Sequence, residues 1–126
     1  MTQKILVVDD DADLRDTLQR FLALSGFEVQ PAADGIQASK ILAATAVDLV
    51  VTDIIMPEKD GFGLIKELHA RYPEIPVIAI TGGGHSATAT YLSVARQLGA
   101  KAVFSKPLDF KLVLETIQGL LVKAAP

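Results

Sequence analysis

This chain of 126 residues is expected to form a doubly wound α/β domain, a parallel five-stranded sheet in the order 2-1-3-4-5 with helices on both faces. Strand and helix patterns alternate five times along it, which calls for right-handed β-α-β crossovers. Four of the strand runs are nearly continuous apolar stretches rich in β-branched residues, as in a parallel sheet covered on both sides. The remaining run alternates apolar and polar residues and carries a proline, which places it at an edge.

The elements follow in order. "KILVVDD" opens the chain as a buried strand ending in acids. Leu14, Leu18, Phe21 and Leu22 then repeat at helical spacing, and Ser25-Gly26 supplies a glycine stop. "FEVQPA" (27–32) is the edge strand, with Pro31 inside it. Ala38, Ile41 and Leu42 mark the second helix, and Asp34 is its expected N-cap. "VDLVVTD" is the third strand. Ile65, Leu68 and Tyr72 mark a helix that ends before Pro73. "PVIAITG" is the fourth strand, followed by a helix through Tyr91, Val94, Ala95 and Leu98 that Gly99 closes. "KAVFSKP" is the fifth strand, and Phe110, Val113, Leu114, Ile117 and Leu121 form the last helix behind Asp109 as cap. No repeat, linker or low-complexity tract interrupts the series. One domain is expected to fill residues 1–126, with no output domain after the last helix.

Composition narrows the function. A net charge of −3 offers no basic surface with which to grip nucleic acid. There is no cysteine, so disulfides and thiolate metal sites are excluded. The N-terminus lacks a signal peptide's apolar run, and no apolar stretch reaches the ~18 residues of a membrane span. A cytoplasmic location is expected.

In such a sheet the functional crevice lies at the carboxyl ends of the strands, where the strand order reverses between strands 1 and 3. Strand 1 ends in Asp9-Asp10, strand 3 in Asp53, strand 4 in Thr81 and strand 5 in Lys106-Pro107. Three carboxylates at one edge cannot all stay ionised without a cation. Hard carboxylate oxygens on a partly solvated rim suit Mg²⁺, with Mn²⁺ as the alternative. Carboxylate, ammonium, hydroxyl and metal together form a phosphoryl-transfer site in which an Asp serves as nucleophile.

These residues, with Met56-Pro57 and Gly61 after the third strand, make the chain resemble the receiver domain of bacterial two-component response regulators. The resemblance covers essentially the whole chain and implies a flavodoxin-like fold close to that of the chemotaxis regulators. It implies that Asp53 accepts a phosphoryl group from a histidine kinase or a histidine phosphotransfer protein. Asp10, Asp53 and the backbone carbonyl of Ile55 would bind Mg²⁺ directly, with Asp9 acting mainly through water. Lys106 would contact the phosphoryl oxygens, Thr81 would close on them through its hydroxyl, and the bond before Pro107 is expected to be cis. Ile55 and Gly83 would flank the path of the hydrolytic water, and Ile55 cannot orient one, so slow self-dephosphorylation is expected. The chain would then be a signalling domain, an enzyme only toward its own phosphorylation and dephosphorylation.

Plainer readings exist for several of these residues. Asp11 reads as the cap of helix 1 rather than a ligand. Gly61 reads as the start of helix 3, and His69 and His85 as surface residues. "TGGGH" lacks the Gly-Lys-Ser/Thr of a P-loop. A hydrolase of the haloacid dehalogenase type also uses a nucleophilic Asp and Mg²⁺, but its second Asp, two residues on, is Ile55 here. A receiver-like domain that binds without being phosphorylated does not fit a chain in which every chemical residue is present.

The chain also departs from the family it resembles. Where that family carries an aromatic residue three positions before the lysine, this chain has Val103, with Phe104 expected on the other side of strand 5. Thr81 and Gly99 stand 18 positions apart, longer than the resemblance implies, and three glycines (Gly82, Gly83, Gly84) lie between them. The switch is therefore expected in residues 82–91, with the helix 4–strand 5–helix 5 face as the surface for a downstream protein.

Overall fold

The computed structural model describes residues 2–54, 61–82 and 88–124. The elements are β1 (Lys4–Val8), α1 (Ala12–Leu24), β2 (Glu28–Ala32), α2 (Gly35–Ala44), β3 (Leu49–Asp53), α3 (Gly61–Arg71), β4 (Val77–Thr81), α4 (Thr88–Leu98), β5 (Ala102–Ser105) and α5 (Phe110–Ala124). All four strand pairings are parallel and the order is β2-β1-β3-β4-β5, as expected. No helix among the described residues is long and apolar enough to cross a membrane.

Side-chain alternation along the strands divides the core in two. Leu6, Val8, Val50 and Ala79 pack on one face against Leu42 of α2, Leu64 and Leu68 of α3 and Ala95 of α4. Ile5, Val7, Leu49, Val51, Ile78 and Ile80 pack on the other against Leu18 and Leu22 of α1 and Val113 and Ile117 of α5. Burying each of these valine, leucine and isoleucine side chains stabilises the fold by about 1.5–3 kcal/mol. The three central strands are therefore apolar on both faces. Val103 joins the first cluster and Phe104 the second, so they do face opposite sides of β5.

Caps and stops fall where local chemistry requires them. Asp11 accepts the N–H groups of Asp13 and Leu14, Asp34 accepts that of Gln37, and Asp109 that of Leu112. Gly26 and Gly99 end α1 and α4 at φ +101° and +123°, a region that favours glycine. The strand "KAVFSKP" departs from expectation. Ala102, Val103 and Phe104 are only half-buried and Ser105 is exposed, because β5 is an edge with one neighbour.

The other edge shows how a proline is accommodated. Glu28 N–H donates to Gln3 O, and Ala32 O accepts from Asp9 N–H, so the even residues of β2 bond to β1. Val29 and Pro31 are directed outward. The N–H that Pro31 lacks is one the sheet does not use.

Candidate functional site

Register and parity bring the acids together. Val8 lies opposite Thr52 across the β1–β3 pair, so the next residues, Asp9 and Asp53, meet at the carboxyl edge. By alternation both side chains fall on the α1–α5 face, following Ile5 and Val7 in one strand and Leu49 and Val51 in the other. The Asp9, Asp10 and Asp53 carboxylates each offer an oxygen within 4.8 Å of the others. Asp9 and Asp53 are buried, while Asp10 is exposed.

Lys106 closes the group from β5. Its backbone N–H donates to Thr81 O at 2.8 Å, and the Lys106–Pro107 peptide is cis. Its ammonium donates to Asp53 Oδ2 at 3.0 Å and lies 3.1 Å from Asp9 Oδ2. The Asp9 contact is an ion pair whose direction falls short of a hydrogen bond, leaving Asp9 Oδ2 a buried acceptor without a donor. Asp9 Oδ1 accepts the Asp11 N–H at 2.9 Å.

These contacts set the titration. Burial pushes the Asp9 carboxyl up to about 6; the Asp11 N–H and Lys106 oppose the rise, and the charge of Asp53 adds to it. Burial pulls the Lys106 ammonium down, but the hydrogen bond to Asp53 and the contact with Asp9 outweigh it, and the net shift is upward. Lys106 therefore stays charged beside Asp53.

The donor set fits a hard divalent cation. It consists of carboxylate oxygens, one of them an unsatisfied buried acceptor and one group exposed enough to leave room for water. Thr81 stands at the end of the neighbouring strand, 1% exposed. Alternation along β4 puts its side chain on the face opposite that of Asp53, and its carbonyl, not its hydroxyl, ties it to Lys106. Gly82 is exposed, and a Cβ there would meet nothing within 4 Å. Ile55, Gly83, Gly84 and His85, and with them half of the expected switch segment, lie outside the described residues, as does Met56-Pro57. His69 is exposed, and its ring packs against Gly99.

One residue at this edge escaped the sequence reading. Arg15 donates from Nη1 to the Asp9 carbonyl at 2.7 Å. A cation one turn into a helix, near the end whose dipole favours anions, was the signal available.

Known proteins share this fold. The family model of the response regulator receiver domain matches residues 5–118. The chain is 30% identical over all its 126 residues to the response regulator MprA of Mycobacterium sp. strain KMS, of which it covers 54%. It thus spans about half the length of the curated relatives it matches. Among solved structures, a CheY-like receiver domain protein of Methanospirillum hungatei JF-1 superposes with a TM-score of 0.88 at 27% identity, covering 98% of this chain and 97% of that one. NtrX of Brucella abortus gives 0.88 at 32% identity, covering 98% of this chain and 28% of its own. With a family match over nearly the whole sheet and its acidic edge, the chain belongs to the receiver domains of two-component response regulators.

Proposed function

We propose that Asp53 is a phosphoacceptor, and that the domain passes on a signal by binding other proteins according to its phosphorylation. The observation that carries this reading is the company Asp53 keeps: a buried carboxylate with the Lys106 ammonium at 3.0 Å and the Asp9 and Asp10 carboxylates beside it. An oxygen of Asp53 attacks the phosphorus of a phosphohistidine, the P–O bond forming as the P–N bond breaks, and the imidazole leaves with a proton from solvent. The donor is a histidine kinase or a histidine phosphotransfer protein. Lys106, anchored by its backbone to β4, offsets charge on the phosphoryl oxygens. Thr81 closes on them once its side chain turns from its present face.

Asp9, Asp10 and Asp53 would hold Mg²⁺ or Mn²⁺, which supplies a positive charge to the transferring group. The α4–β5–α5 face is the reading's partner surface; that β5 is an edge strand whose Val103 and Phe104 are only half-buried supports it. A net charge of −3, and no helix among the described residues long and apolar enough to span a membrane, favour a protein partner in the cytoplasm over nucleic acid or membrane.

Incubation with acetyl phosphate and Mg²⁺, followed by intact mass measurement, tests the reading. The expected result is one added phosphoryl group, absent in Asp53→Asn. A wild-type mass that does not change would overturn it.

A further inference from the structure

The carbonyl of Asp9 stands where the β1–β2 ladder runs out. Odd-numbered residues bond from β1 toward β2: Gln3 O receives the Glu28 N–H at 3.0 Å, and Asp9 N–H reaches Ala32 O at 3.1 Å. The next donor in that series would be the Asp34 N–H. However, β2 ends at Ala32 and Asp34 has become the N-cap of α2. A carbonyl on a residue only 1% exposed needs a donor, and leaving it bare is costly. Arg15 Nη1, at 2.7 Å, takes the absent strand's place with a charge-assisted bond.

We infer that Arg15 is a positioning residue for the acidic site, holding the Asp9–Asp10 peptide from which two of its three carboxylates extend. The inference rests on the reading of that site as a cation-binding phosphoacceptor centre. Asp9 is held by four bonds or contacts: its N–H by Ala32, Oδ1 by the Asp11 N–H, Oδ2 by Lys106 and its carbonyl by Arg15. The carbonyl bond fixes the plane of the peptide leading to Asp10, and so the direction in which that exposed carboxylate leaves the strand. Arg15 is itself fixed, since it sits in a helix whose first turn is capped by Asp11. The arrangement separates two jobs between two cations. Lys106 faces the reacting carboxylate, and Arg15 holds the backbone beneath it.

The two effects Arg15 could have on a metal are opposite in sign. As a nearby positive charge it would repel Mg²⁺, so its removal would tighten binding. As a positioning residue its removal loosens binding, and losses of 10-fold to 100-fold in metal affinity are typical when a group that orients ligands is removed. Arg15→Met keeps most of the apolar stem and deletes the donor. Titrating Mg²⁺ into wild type and variant, followed by backbone amide shifts, gives the affinities. Amide exchange of Asp11 in EDTA reports the same hold without metal, because that N–H is bonded to the Asp9 carboxylate.

The expected result is Mg²⁺ affinity weakened by on the order of 10-fold. Asp11 exchange should accelerate while that of Ile117, in the core of α5, stays unchanged. Tighter Mg²⁺ binding by the variant would overturn the inference, and so would unaltered Asp11 exchange. A wild type that binds no Mg²⁺ would instead sink the reading of the site, and the exchange comparison would still decide the role of Arg15.

Discussion

A carboxyl raised to about 6 means that the native state holds the Asp9 proton more tightly than the unfolded chain, where the value is 3.8. The stability this contributes is complete below the unfolded value and is lost as pH rises through about 6. Without metal, stability from this group should therefore fall between about pH 4 and 6, by at most about 3 kcal/mol. Asp9→Asn removes that loss while keeping the side chain's shape. Urea midpoints in EDTA at the two ends of this range should differ between wild type and variant by a slope of that sign; parallel slopes would refute it. Asp9, Asp10, Asp53 and Lys106 could be read from the sequence as a group because parallel strands put all their carboxyl ends on one edge. Arg15 could not, because its role depends on the point at which β2 stops short of Asp9. That is set by where α2 begins, not by anything beside Arg15 in the chain. The pairing of Lys106 with Asp9 as well as Asp53 was hidden for a similar reason, since it comes from the registers of three strands.

At the level of elements, two glycines in helical contexts should respond in opposite ways to a methyl group. Gly119 is exposed within α5, and a Cβ there would meet nothing within 4 Å. Gly119→Ala should stabilise the protein by about 0.5–1 kcal/mol, the usual gain on removing glycine's backbone freedom from a helix. Gly99 has φ +123°, and a Cβ there would come within 2.8 Å of His69 Nδ1. Gly99→Ala should destabilise by about 1–2 kcal/mol through backbone strain. His69→Ala in the same chain should recover only the part owed to the ring. Chemical denaturation of the three variants checks both signs. Helix ends of this kind were legible, since Asp caps and glycine stops act within a few residues of themselves. The exposure of β5 was not visible in its run of apolar residues, for a strand with one neighbour and a strand with two can share a composition.

For the molecule as a whole, the proposed cation links the site to the stability of the entire sheet. A ligand that binds only the native state at 100 times its dissociation constant stabilises by about 2.7 kcal/mol. For a domain of this size that corresponds to a rise in melting temperature of roughly 10 °C. Millimolar Mg²⁺ should produce such a rise in wild type and a much smaller one in Asp10→Asn; melting curves that ignore Mg²⁺ would count against the site. The sheet that gathers these acids also has two open sides, and Pro31 bears on one of them. Of the five residues of β2, only Val29 and Pro31 turn their backbone outward, and only Val29 brings an N–H. An incoming chain would find one donor there in place of two. The proline that costs the sheet nothing inside thus makes that border a poor template for self-association.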